Sequence, residues 1–267
     1  LANLQLTTDE FAHVARRCDE KGIIFLATPF SVADVDRLLS IGTAAIKIAS
    51  PDLVDFDLLE RACGSGLPLI VSTGAADADE IAAAVTRIER SGARSRLALL
   101  QCVSSYPTAM ADANLRAMAS LAERFGTVVG YSDHTASTST GAIAVAAGAR
   151  ILEKHFTLNR TAQGPDHPMS LDPPMLADYI QRVREAEAAM GSGSLDVQEV
   201  ERDVRRVARK SLVAARTIAP GETIHRDMLT VKRAGAGMSP TEIDRVVGRK
   251  TVTSIEADTP LSWSDVS

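Results

Sequence analysis

No apolar run in these 267 residues approaches the ~20 that a membrane-crossing helix needs, and the opening residues carry no signal-peptide pattern. Basic residues are not in excess either. With 29 Lys and Arg against 34 Asp and Glu, the net charge of −5 offers no field for nucleic acid or an anionic membrane. The basic run "RRVARK" (205–210) reads as a solvated helix face or linker. Cysteine is scarce: Cys18, Cys63 and Cys102 have neither CxxC nor CxxxH spacing. That argues against a disulfide framework and for reduced thiols in a cytoplasmic protein. Neither GxGxxG nor GxxxxGK(S/T) follows a strand pattern, so a nucleotide-binding doubly wound sheet has no support.

What the chain does contain is alternation. Short apolar stretches, "IIFLATPF", "AAIKIAS", "LPLIVSTG", "RLALLQCV", "VVGYSDH" and "RILEKHF", are separated by amphipathic helix patterns such as "DADEIAAAVTRIERSG". Strands alternating with helices predict an α/β fold with a parallel sheet covered by helices. Nearly every predicted strand ends in polar residues: Thr28, Lys47 and Ser50, Ser72 and Thr73, Gln101 and Ser104, Ser132 and His134, Glu153 and His155. A site built from the ends of many strands is characteristic of a (β/α)8 TIM-type barrel. Six βα units are counted where a closed barrel needs eight, so the barrel is expected to be incomplete at its N-terminus. The predicted organisation is a barrel domain over 1–191, a charged linker over 192–208 and a small, mostly-β domain over 209–267.

Side chains alternate along a strand, so Ser132 and His134 share a face, as do Glu153 and His155. Two imidazoles at matched strand ends suit a catalytic divalent metal such as Mn2+, Fe2+ or Zn2+; each equally suits a solitary hydrogen-bonded histidine. Asp133 is then a candidate partner for a ligand imidazole. The hydroxyls of Thr28, Ser50, Ser72 and Ser132, with Lys47 as a point charge, suit a phosphate or carboxylate. Ordinary strand-end capping accounts for any one of them. Lys47 or Lys154 could alternatively form a Schiff base.

The stretches "KIASPD", "STGAA", "LLQCVSSYPT", "NLRAM", "VGYSDHT", "GARILEKHFTL", "GPDHPMSLDP" and "GRKTVTSIEADTPLSWSDV" together resemble the sialic acid synthase family over essentially the whole chain. The resemblance implies a barrel followed by an antifreeze-like SAF domain. It implies an enzyme that condenses phosphoenolpyruvate with N-acetylmannosamine or a related N-acetylated hexosamine. The product is a nine-carbon 2-keto sugar acid, with phosphate released. On the matching positions, His134 and His155 are implied to hold a divalent metal, Mn2+ first, with Mg2+ or Co2+ possible. Thr28, Lys47, Ser50, Ser72 and Ser132 are implied to bind phosphoenolpyruvate. Asp52, Tyr106 and Glu153 are implied to be catalytic, and Tyr106, Asp166 and Arg233 to bind the sugar. Arg233 is expected to reach the barrel of a partner subunit, which implies a domain-swapped homodimer.

Three departures from the family pattern stand out. Asp52 occupies a position where glutamate is common, and Ala234 follows Arg233 where proline is usual. Relatives also carry about 80 further residues at the start, holding the first two βα units of the barrel. The strands present are therefore expected to correspond to the third to eighth. The alternative reading is a truncated, catalytically inactive homologue that serves as a sugar-binding or assembly subunit.

Overall fold

Thr7 Oγ1 accepts the Glu10 N–H while the Glu10 carboxylate accepts the Thr7 N–H, a reciprocal cap that starts helix α1 (Thr8–Glu20). Ser31 caps α2 (Val32–Ile41) on Asp34 N, and Gly42, in the left-handed region at φ 90°, ends it. The structure, a computed structural model, describes residues 6–267. The alternating pattern continues through β1 (Ile46–Ile48), α3 (Phe56–Cys63), β2 (Leu69–Ser72) and α4 (Ala78–Arg90). Next come β3 (Leu97–Cys102), α5 (Ala117–Phe125), β4 (Val128–Asp133), α6 (Thr140–Ala146), β5 (Leu152–Lys154) and α7 (Pro173–Met190). The five strands form one parallel sheet in the order β1-β2-β3-β4-β5. Helices cover one face of this open half-barrel.

Strand alternation sorts the side chains between two faces. Ile46 and Ile48, Leu69 and Val71, Leu97 and Leu99, and Val129 and Tyr131 join one core with the helices. Ile81, Ala84, Val85 and Ile88 of α4 recur at helical spacing and enter the same core. Each fully buried Leu or Ile there contributes about 1.5–3 kcal/mol. The opposite face receives the intervening residues, among them Lys47, Ser72, Cys102, Ser132 and Glu153. It is this second face that carries the polar chemistry.

The predicted first strand is nearly lost. "IIFLATPF" contributes one parallel bridge, Ala27 to Ile46, instead of a ladder. Its apolar residues lie at the sheet's edge, with Ile23 62% and Ile24 79% exposed, so nothing on that side holds them in extended pairing. Five ladder strands therefore stand where six were expected. A second single bridge, Phe156 to Leu171, follows β5 at the other edge.

The boundary between the two compact units falls between Ser192 and Gly193. In the second unit, α8 (Arg202–Ala208) forms within the stretch predicted as linker, with the pairs Arg202–Glu199 at 2.9 Å and Arg206–Asp203 at 3.4 Å on its exposed surface. Strands β6 (Ser211–Ala214) and β7 (Leu229–Lys232) pair antiparallel, and α9 (Ile243–Val246) follows. The remaining predicted β character appears as single bridges, such as Ile218–Ile255 and Thr251–Val266, around a core of Leu212, Ile218, Ile224, Val246 and Leu261. No helix among the described residues is long and apolar enough to cross a membrane.

Candidate active site

Parallel register brings the polar strand residues into one chain of contacts. Ile48 opposite Val71 leaves Lys47 and Ser72 on the same face, one step apart. Cys102 opposes Ser132, and Ser132 opposes Glu153. The buried Lys47 Nζ donates to Ser72 Oγ at 2.8 Å and to the Ile48 carbonyl at 2.9 Å, and lies 3.4 Å from Glu153 Oε2. Ser132 Oγ donates to Glu153 Oε1 at 2.7 Å. One buried cation, two hydroxyls and one half-exposed carboxylate thus span β1 to β5.

Ser50, just beyond β1, accepts the Gly74 N–H at 3.0 Å and lies 3.5 Å from Cys102 Sγ. A Cβ on Gly74 would stand 2.5 Å from Ser104 Oγ, 2.8 Å from Ser50 Oγ and 2.9 Å from Cys102 Sγ. Only glycine admits this close gathering of two hydroxyls and a thiol.

Three rings adjoin the hydroxyls. The centroid of Tyr106 lies 4.2 Å from that of His134 and 5.9 Å from that of His155, and the two imidazoles are 5.3 Å apart, edge to face. His134 Nδ1 bonds the Val103 carbonyl at 2.8 Å, which puts the ring proton on Nδ1 and leaves the lone pair on Nε2. Burial, with the neighbouring His134, pulls the His155 pKa down and favours the neutral, ligating imidazole. At His134 burial acts the same way, but contacts with the Cys102 thiol and the Val103 carbonyl outweigh it and raise the pKa, so a proton would compete with a metal there.

The pair fits a divalent ion by its spacing. An ion held ~2.1 Å from one nitrogen of each ring places the ring centres about 4.6–5.3 Å apart for angles between octahedral and tetrahedral. Among the described residues no group of three or more His, Cys, Asp or Glu side chains is gathered for a metal. The two histidines would supply two positions and leave the others open to substrate and water.

Of the other expected site residues, Thr28 lines a cleft with Phe11, Phe30 and Ser31, and the parallel bridge Ala27–Ile46 sets it level with Lys47. Asp52 sits in the short 3-10 turn Ser50–Val54 with Oδ2 buried and unbonded. Burial, then the charge of Asp55, raises its pKa against the opposing pull of Lys47. Asp166 lies near enough to Tyr106 and His155 to act on both electrostatically. Arg233 is an exposed residue just after β7, in the second unit.

Two expectations need correction. Asp133 makes no direct contact with an imidazole: alternation turns it to the helix side, where it pairs with Lys154 at 3.1 Å. The same turn places Lys154 Nζ away from the hydroxyl face, so it is no candidate for a Schiff base there. One neighbour of the site was missed. Cys102 stands 3.8 Å from His134 Nδ1, whereas Gln101, expected at the rim, reaches the Ala113 carbonyl on the helix side. Pairing Cys102 with Ser132 by strand register would have found it.

Comparison with known proteins places this geometry in a family. The family model described as the NeuB family matches residues 1–195, and that of the SAF domain matches residues 209–267. The N,N'-diacetyllegionaminic acid synthase of Legionella pneumophila is 34% identical over 269 residues, covering 100% of this chain and 76% of that protein. The crystal structure of an N-acetylneuraminic acid (sialic acid) synthetase from Leptospira borgpetersenii superposes with a TM-score of 0.71 at 40% identity, over 75% of this chain and 70% of that one. A putative spore coat polysaccharide biosynthesis protein E from Chromobacterium violaceum gives 0.86 at 27% identity, over 98% and 79%. With its parallel half-barrel, its strand-end site and its C-terminal SAF domain, the chain belongs to the NeuB family of sialic-acid-type sugar acid synthases.

Proposed function

We propose that the polar face of the half-barrel condenses phosphoenolpyruvate with an open-chain N-acetylated hexosamine, forming a nine-carbon 2-keto sugar acid and phosphate. The observation that carries this reading is the continuous contact from Lys47 through Glu153 to Ser132, lying beside the His134–His155–Tyr106 rings. Anion-binding donors and candidate metal ligands on one face are what this pair of substrates requires.

Lys47, Ser72, Ser132 and Ser50 hold the phosphate and carboxylate of phosphoenolpyruvate, as donors to an anion. Positioning aligns C3 of phosphoenolpyruvate with C1 of the sugar aldehyde, saving much of the entropy of a bimolecular encounter. C3 attacks C1, the aldehyde oxygen becomes an alkoxide, and the new C–C bond leaves positive charge at C2. Water adds at C2 and gives one proton to Glu153, whose carboxylate already spans Lys47 and Ser132 and which passes that proton to the alkoxide. The adduct then collapses to the ketone, breaking the C2–O bond, and the phosphate leaves with the C2 hydroxyl proton. Tyr106 and Asp166 border the sugar. His134 and His155 would hold a divalent ion, which would supply Lewis-acid polarisation of a carbonyl. Arg233 is assigned to the sugar in the barrel of a second copy of the chain, which makes the active form a dimer.

Phosphoenolpyruvate labelled with 18O at the bridging C2–O position tests the reaction. Condensation by this route delivers the label into phosphate, and only when an acceptor sugar is present. Label retained in a three-carbon acid, or release without sugar, would reduce the chain to a phosphatase-like or sugar-binding homologue.

A further inference from the structure

Asp133 and Lys154 are register partners across β4 and β5, and each immediately precedes a histidine in sequence. Both side chains are buried, at 0% and 5% exposure, and their charges meet at 3.1 Å. Asp133 Oδ1 also accepts from Thr135 N at 2.9 Å and Thr135 Oγ1 at 2.8 Å, while Lys154 Nζ donates to the Thr135 carbonyl. The residues on either side of His134 are thereby tied to the residue that precedes His155. Thr135 Oγ1 continues to Thr140 Oγ1 at 2.8 Å, at the start of α6. The Tyr179 ring of α7 lies 5.6 Å from Lys154 Nζ. The Tyr179 hydroxyl approaches Asp133 without reaching hydrogen-bond geometry, and Asp133 Oδ2 has no direct partner among the described residues.

Stability does not explain such a pair. Apolar residues of the same volume often match or exceed a buried ion pair in stability, because desolvation offsets the Coulombic gain. An ion pair does differ from an apolar one in direction and length. We propose that Asp133 and Lys154, acting through Thr135, are positioning residues that set the placement of the His134 and His155 imidazoles for a shared divalent cation. The cation part rests on the metal reading given above.

The test replaces both charges together, Asp133→Asn with Lys154→Met, so that neither is left buried alone. Asp133→Glu, which keeps the charges and lengthens one arm, is the second variant. Ring 15N–1H spectra of the metal-free protein are recorded for both, alongside far-UV circular dichroism. The unsubstituted chain should show His134 protonated on Nδ1. A variant with native dichroism should show altered tautomer populations at His134 or His155, and a Kd for Mn2+, read by EPR of the free ion, raised about 10- to 100-fold.

Ring spectra unchanged in a folded variant would overturn the proposal. So would loss of native dichroism in both variants, which would make the pair a requirement of the fold instead. His134→Ala in the same titration reads the metal separately. If it binds Mn2+ as tightly as the unsubstituted chain, the metal reading fails, and the metal-free spectra alone decide the positioning role. If it binds weakly while the folded variants keep full affinity, positioning for a cation is refuted and the metal reading survives.

Discussion

Ser132 Oγ donates to Glu153 Oε1 at 2.7 Å across β4 and β5, and the other oxygen of Glu153 stands 3.4 Å from Lys47 Nζ. Glu153 therefore occupies two of the four donors that the proposed reaction assigns to an incoming anion, Lys47 and Ser132. Binding phosphoenolpyruvate means exchanging one anionic partner of Lys47 for another, and Glu153 is released toward the reacting carbons.

Lys47→Met and Ser72→Ala should both weaken phosphoenolpyruvate. A hydrogen bond to a charged group is worth about 1.5–3 kcal/mol, so the KM for phosphoenolpyruvate should rise roughly 10- to 100-fold in Lys47→Met. Ser72→Ala removes one neutral donor and should cost less. Steady-state kinetics with each substrate varied in turn checks this; an equal rise in the sugar KM would contradict the assignment.

Asp52 gives a pH-dependent prediction. Burial raises its folded-state pKa above the usual 3.8, so the folded chain binds the proton more tightly than the unfolded one. The associated stability is fully present below the unfolded pKa and is lost as pH rises through the folded pKa. Asp52→Asn should thus melt at a higher temperature than the unsubstituted chain near neutral pH, and the difference should shrink as pH falls through the folded pKa toward 3.8 and level off below it. Thermal unfolding across that range decides it.

Gly141 of α6 has no room for a side chain. An added Cβ would stand 2.3 Å from Tyr179 Cζ and 2.4 Å from its hydroxyl oxygen. Gly141→Ala should destabilise the first unit by about 1–3 kcal/mol through overpacking at the α6–α7 contact. A melting temperature equal to that of the unsubstituted chain would show that Tyr179 can yield.

Arg233→Ala should raise the KM for the sugar about tenfold or more, the cost of a lost charge-assisted bond, and leave that for phosphoenolpyruvate nearly unchanged. Mixing this variant with the Lys47→Met chain, at phosphoenolpyruvate concentrations too low to saturate that chain, tests the swapped assignment, because only an arginine reaching the other subunit's barrel restores sites that carry both residues. No recovery on mixing would place Arg233 outside a partner's site.

Much of this architecture was legible in the sequence because period-2 alternation is a covalent fact once a strand is placed. Counting pairs Ser132 with His134 and Glu153 with His155, the strand-end pattern puts Lys47 and Ser72 on the same rim as Ser132, and Lys47, Ser72, Ser132 and Glu153 share one face. Counting failed where a side chain's face was not followed through. Gln101 is the more polar residue, yet Cys102 has the parity of Ser132 and stands beside His134. Asp133 was paired with a histidine because the two are adjacent in sequence, though adjacency in a strand puts residues on opposite faces. Thr28 needs less than a ladder: its segment makes one bridge to the sheet, Ala27 to Ile46, and that bridge sets Thr28 level with Lys47.

The most direct test of the central claim is phosphate release from phosphoenolpyruvate by the 267-residue chain, with a panel of N-acetylated hexosamines, with and without Mn2+. The account predicts release that requires both a sugar and the metal. It also predicts a fall of about two to three orders of magnitude in His134→Ala and His155→Ala, in line with the loss of one stabilising contact to a developing oxyanion. Release at the full rate in either histidine variant, or no release with any sugar or metal, would contradict it.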